Sequence, residues 1–134
     1  MSGLDEAFID ERRRDLLNMQ DDIRQTVQMN TDEFNDLLND IATEDFVAVA
    51  NETQEKATLG RLEMTHRNRL RRIASALFRI GQGEYGACLA CGGQIAEGRL
   101  VALPDAPLCI DCESRRDAAE RQAQEVEDEG RGPA

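Results

Sequence analysis

Cys88-Leu89-Ala90-Cys91 is followed, after seventeen residues, by Cys109-Ile110-Asp111-Cys112. Each C-x-x-C folds into a tight knuckle that aims two thiolates at one point. Two knuckles close the tetrahedral shell that zinc prefers. Gly92 and Gly93 follow the first knuckle, where the backbone turns sharply without a Cβ, and Pro104 and Pro107 stiffen the return to the second. Four protein ligands leave no coordination position for water, so the spacing predicts one structural zinc ion rather than a catalytic one. A finger over residues 84–112 is too small to fold on apolar burial alone, and metal binding supplies the missing free energy. A redox dithiol needs only one C-x-x-C beside a βαβ pattern, which is absent here. An iron–sulfur cluster also takes four cysteines, but paired knuckles with glycine suit zinc better.

Upstream of the finger the pattern is helical. From about Val49 to Ile80 apolar residues step by three or four: Leu59, Leu62, then His66, then Leu70, Ile73, Leu77 and Ile80. Gly81 and Gly83 supply the stop. Gly60 weakens the first turns. His66, the lone histidine, reads as a packed or half-exposed seam residue rather than a ligand. Further upstream, residues 4–41 hold neither Pro nor Gly, and Leu16, Met19, Ile23, Val27, Phe34, Leu37 and Ile41 form a second seam of coiled-coil type. Asn30 fills the gap between Val27 and Phe34, either specifying register within the seam or rotating to the surface. Between the patterns lies Ala42-Thr43-Glu44-Asp45-Phe46-Val47-Ala48, with Thr43 and Asp45 as candidate N-caps of the second helix. Helices joined by so short a link pack antiparallel.

The predicted fold is therefore mainly α. Residues 1–83 form a long antiparallel coiled-coil hairpin with its tip near 42–48. The four-cysteine finger over 84–112 follows, and residues 113–134 form a short helix fraying into a disordered tail. A self-paired hairpin needs no second chain, so a monomer is expected.

Charge narrows the function. The chain of 134 residues carries a formal net charge of −11, with aromatic residues at 4% and charged residues at 32%. Residues 1–41 alone hold eleven acids against four bases. Such a chain is repelled by phosphate backbones, which argues against autonomous DNA binding. The basic stretch with Arg61, Arg67, Arg69, Arg71 and Arg72 is expected to pair with the acidic first segment. The opening MSGLDEAFIDERRR has no apolar run, and no stretch approaches the length needed to cross a bilayer. The expected location is the cytoplasm, where four cysteines read as metal ligands rather than disulfides. No nucleophile elbow, phosphate loop or His–carboxylate metal motif appears, so no enzymatic activity is expected.

The order of hairpin, Tyr85-Gly86-Ala87-Cys88, four-cysteine finger and final helix resembles the DksA/TraR family of bacterial transcription factors. The matching text also includes Arg99-Leu100, Ala102-Leu103-Pro104 and Leu108-Cys109-Ile110-Asp111-Cys112. The resemblance implies a regulator that binds RNA polymerase directly and inserts the hairpin into its secondary channel, altering promoter-complex stability. Some members act with guanosine tetraphosphate, which the resemblance brings in as a further partner at the polymerase interface. The family's tip motif, Asp-x-x-Asp-x-Ala, falls on Asp45, Ala48 and Ala50. The first acid and the final alanine match; the second acid is replaced by Ala48. A single carboxylate perturbs a metal-bearing active centre less than a pair, so weak regulation by a competent binder is one alternative. A structural or adaptor zinc-finger protein, and a redox or zinc sensor, are the others.

Overall fold

The computed structural model describes residues 3–47 and 63–130, with side chains over 3–41 and 63–124. Among these residues lie five helices: α1 (Glu6–Thr26), α2 (Thr31–Val47), α3 (Met64–Gln82), α4 (Glu97–Ala102) and α5 (Ile110–Gly130). Helix α3 packs on both α1 and α2, so the first arm of the hairpin is two helices laid against one. The expected seams are the buried faces. Leu16 and Ile23 of α1, Phe34, Leu37 and Ile41 of α2, and Leu70, Ile73, Ala76 and Ile80 of α3 join one apolar cluster. Met19, Val27 and Leu77 pack on its edge. The arms are antiparallel. Leu4, just before α1, meets the chain just after α3, where a Cβ added at Gly86 would come within 2.6 Å of its Cδ1.

The first arm is broken between Thr26 and Thr31, which the unbroken seam did not anticipate. Gln28 adopts φ 58, in the left-handed region. Its N–H donates to the carbonyl of Gln25, and the N–H of Met29 donates to that of Arg24 at 3.1 Å. These two bonds make a Schellman ending, with glutamine at the position that glycine usually takes. The Arg24 guanidinium closes the turn by donating to the Met29 carbonyl at 3.2 Å. Met29 is buried, and the turn thereby delivers an apolar side chain to the core between the two helices.

Asn30 is exposed, the surface alternative of the two expected, and stays out of the seam. It caps α2: its Oδ1 accepts from the Glu33 backbone N–H at 2.8 Å, and its Nδ2 donates to the Glu33 carboxylate at 3.0 Å. Asparagine followed three residues later by glutamate is the pattern of a helix start, and the cap satisfies one of the orphan donors there. Because Gln28 already bears the left-handed strain, Gln28→Val, which adds a β-branch, should cost a further amount of about 1–2 kcal/mol. Gln28→Gly should unfold at least as late as the parent in a urea melt. Equal stability of the valine and glycine variants would remove the turn from the account of the break.

Helix α3 stops where expected. Gly83 has φ 73, and the N–H of Glu84 returns to the Arg79 carbonyl at 2.9 Å. His66 is half-buried on this helix. At the other end of the hairpin, the segment expected as the connection is helical through Val47. Thr43 and Asp45 therefore lie inside α2 rather than capping the next helix. The seam residues Leu59 and Leu62, the expected second-helix start at Val49, and Ala48 and Ala50 lie outside the described residues. The final helix begins at Ile110, not after the finger, and so includes Cys112.

Candidate metal centre

The four cysteines converge. The Sγ atoms of Cys88, Cys91, Cys109 and Cys112 all lie within 4.8 Å of one another. A tetrahedral shell with Zn–S near 2.3 Å requires sulfurs about 3.8 Å apart. Cys91 and Cys109 stand at 3.9 Å. Cys88 and Cys112 are buried, Cys91 is exposed and Cys109 lies between.

The local fold explains the convergence. An antiparallel bridge between Ala87 and Gln94 brackets the first knuckle. Inside it the Cys88 N–H donates to the Gly93 carbonyl at 2.8 Å, and the Gly92 N–H donates to the Cys88 carbonyl at 2.9 Å. Gly92 has φ 73, which a side chain would strain. The Gly93 N–H points at Cys91 Sγ from 3.4 Å, a donor that steadies a thiolate. The second knuckle is the first turn of α5: the Glu113 N–H donates to the Cys109 carbonyl at 2.9 Å. A helix N-terminus favours negative charge, so this placement suits thiolate ligands. The Leu89 N–H donates to the Pro107 carbonyl at 2.9 Å and ties the two knuckles together.

Acidities follow from the crowding. Burial of Cys88 opposes ionisation, but backbone hydrogen bonds at Cys91, Cys109 and Ala90 outweigh it and draw the thiol down to about 6. Cys112 is pushed up to about 12, first by its hydrogen bond with Cys109, then by burial and by Cys88 and Cys91. Four sulfurs this close cannot all be anionic without a cation among them. A divalent ion removes that conflict, and the donor set of four thiolates fits zinc. The centre is one structural zinc site, with no position for water in its shell.

The finger is fastened to the hairpin. Tyr85 is fully buried, and its hydroxyl donates to the Pro104 carbonyl at 2.8 Å. Burial raises its pKa to about 12. Arg99 Nε donates to the Leu108 carbonyl at 3.0 Å, holding α4 against the second knuckle. Arg72 of α3 pairs with the buried Asp105 at 3.3 Å. This last contact departs from the expected pairing of the basic stretch with the acidic first segment, because Asp105 sits closer to α3 than the charge balance alone could reveal. Arg79, which is buried and beside the finger, was no candidate in the sequence.

Of the expected tip residues, Asp45 lies near the end of α2, while Ala48 and Ala50 are outside the described residues. Asp45 stands at the other end of the hairpin from the cysteines.

Residues 83–118 match the prokaryotic dksA/traR C4-type zinc finger. The RNA polymerase-binding transcription factor DksA of Escherichia coli K12 is 35% identical over 65 residues, covering 46% of this chain and 43% of that protein. Its counterpart in Haemophilus influenzae is 35% identical over the same length, covering 45% of that protein. The chain thus matches less than half the length of these curated relatives. Solved structures extend the likeness. Transcription factor DksA2 from Pseudomonas aeruginosa superposes with a TM-score of 0.58 at 28% identity, covering 90% of this chain and 91% of that one. The DnaK suppressor protein from Agrobacterium tumefaciens superposes with a TM-score of 0.58 at 25% identity, covering 86% and 99%. The zinc knuckles, the finger text and the hairpin agree: residues 83–118 form a zinc finger of the prokaryotic dksA/traR C4 type, in a chain whose fold is similar to that of DksA2 from Pseudomonas aeruginosa.

Proposed function

We propose that this protein binds bacterial RNA polymerase and regulates transcription by inserting its hairpin into the secondary channel. The observation that carries the reading is the joint presence of the finger and the hairpin over nine-tenths of the chain, as in a transcription factor of this family. The hairpin supplies reach, and the finger supplies a rigid base. Guanosine tetraphosphate at the polymerase interface belongs to the same reading. So do a monomeric state, a cytoplasmic location and the lack of enzymatic activity. Among the described residues no helix is long and apolar enough to cross a membrane.

Asp45 is the proposed effector at the tip, with Ala48 and Ala50 beside it in sequence. The last turn of α2 carries no base, and Glu44 and Asp45 lie at its carboxyl end. Acids at that end oppose the helix dipole by roughly 0.3–1 kcal/mol each, so helix stability does not explain them. Asp45→Asn should therefore leave the helix intact and polymerase affinity within a few-fold. It should abolish most of the effect on promoter complexes in transcription in vitro from a ribosomal RNA promoter. Ala48→Asp should strengthen that effect. Full regulation by Asp45→Asn would discard the tip charge as the active element. If the parent binds polymerase but does not regulate, the reading of a competent binder with an incomplete acidic tip stands instead. Failure to bind at all would favour an adaptor role.

A further inference from the structure

The guanidinium of Arg79 is buried, with only 6% of the residue exposed. Its Nη1 donates to Ser75 Oγ at 2.8 Å, a neutral partner. Among the described residues, its Nε has no hydrogen-bond partner and no carboxylate stands within ion-pair distance. Burial pushes its pKa down from the ordinary arginine value. A cation held this way is costly unless something completes it.

Arg79 lines a cavity of about 350 Å³ between α3 and the two zinc knuckles. Arg71, Arg72 and Ser75 line its helical side, and Leu89 and Pro107 line the finger side. Leu89 is 60% exposed, so the rim offers apolar surface to an incoming side chain. Arg72 already has Asp105, whereas Arg79 feels the charge of Glu84 without a close ion pair among the described residues.

We propose that this cleft receives an aspartate or glutamate side chain of the protein partner, whose carboxylate pairs with Arg79. The guanidinium of an arginine can donate two parallel hydrogen bonds to a planar carboxylate, and Arg79 has donors to spare beyond its one bond to Ser75. The methylene stem of the acid packs on Leu89 and Pro107. A free multiply charged phosphate is disfavoured by the chain's net charge of −11, whereas a single carboxylate fixed on a partner meets less of that field. The proposal rests on the reading of the protein as a polymerase-binding factor for the identity of the partner, but not for the existence of the site.

Two measurements separate those parts. In the first, zinc-loaded full-length protein labelled at arginine is titrated with acetate and with inorganic phosphate, and the Nε–H resonance of Arg79 is followed by NMR. Acetate should shift it saturably and phosphate should shift it less. No acetate shift, or tighter binding of phosphate, would sink the proposal. In the second, affinity for RNA polymerase core is measured. Arg79→Met should weaken binding about 30-fold or more, as truncating one member of a buried charge pair does. Arg79→Lys should also weaken it, because it keeps the charge and loses the fork. Leu89→Glu, which leaves Arg79 in place and offers the cleft an acid of its own, should weaken binding too. Arg116→Met, outside this cavity, should stay within two-fold. Zinc content and circular dichroism check that each variant is folded. Parent affinity in Arg79→Met would overturn the proposal. If the parent itself does not bind polymerase, the functional reading fails and the acetate titration alone decides the cleft.

Discussion

Stripping zinc from the purified protein, or replacing Cys91 with serine, will unfold the finger while leaving most of the hairpin helical. The released metal should amount to one zinc per chain, since one shell of four sulfurs within 4.8 Å is all the site provides. Structural zinc binding is worth about 10–16 kcal/mol in small fingers at neutral pH, more than any other single interaction in this chain can supply. Tyr85, the sole tyrosine of a chain without tryptophan, gives a direct readout. Its buried phenol titrates at about 12 in the folded finger and should return toward the ordinary value near 10 when zinc leaves. The sign follows from linkage. A phenol whose folded pKa is raised stays neutral while the unfolded chain ionises. The Tyr85 contribution is therefore intact below pH 10 and declines as pH rises from about 10 to about 12. The loss should also spread to the start of α1. Leu4 and Phe8 pack on the cluster that includes Tyr85, Ile95 and Leu100, and Leu4 abuts Gly86. Amide exchange in residues 4–8 should quicken on chelation, while residues 70–76 stay protected. An unchanged tyrosine titration after zinc removal, or a coloured iron-bearing protein, would contradict the site as described.

What the sequence made legible was whatever depends on spacing. The knuckles could be read because two C-x-x-C units have few alternatives. The seams could be read because burial on a helix must recur every three or four residues. Asn30 shows where that stops. In a periodic pattern it looked like a polar residue in a seam, and only the left-handed Gln28 before it reveals a helix start. Glutamine carries no signal for that conformation, whereas a glycine there would have. Met29 was missed for the same reason, since it reaches the core from a turn rather than from a seam position. The early start of α5 was hidden because a knuckle and a helix N-terminus can share residues 109–112. Asp105 and Arg79 depend on how the finger lies against α3. No local pattern encodes that placement, so a half-buried ion pair and a buried arginine looked like ordinary surface charge.

Leu70→Ala should destabilise the hairpin by about 2–5 kcal/mol, the range for truncating a fully buried leucine. Leu70 has no exposed surface, nor do Leu16, Leu37, Ile41 and Ile73 around the same cluster. The break between Thr26 and Thr31 makes this core more important than in an unbroken arm. A helix of 17 residues such as α2 is marginal alone in water, so its order depends on the face it presents to α3. A native domain has about 5–15 kcal/mol to lose, and removing Leu70 takes a large part of it. Asp36→Ala, on the exposed face of α2, should stay within about 0.5 kcal/mol of the parent. Glu33→Ala should cost slightly more than Asp36→Ala, because the Glu33 carboxylate takes a hydrogen bond from the Asn30 cap. Urea melts followed by circular dichroism order the three. If Leu70→Ala and Asp36→Ala melt together, α3 does not bury the face assigned to it. If Leu70→Ala also releases zinc, the hairpin and finger fold as one cooperative unit through Ile80 and Tyr85 rather than as two parts in series.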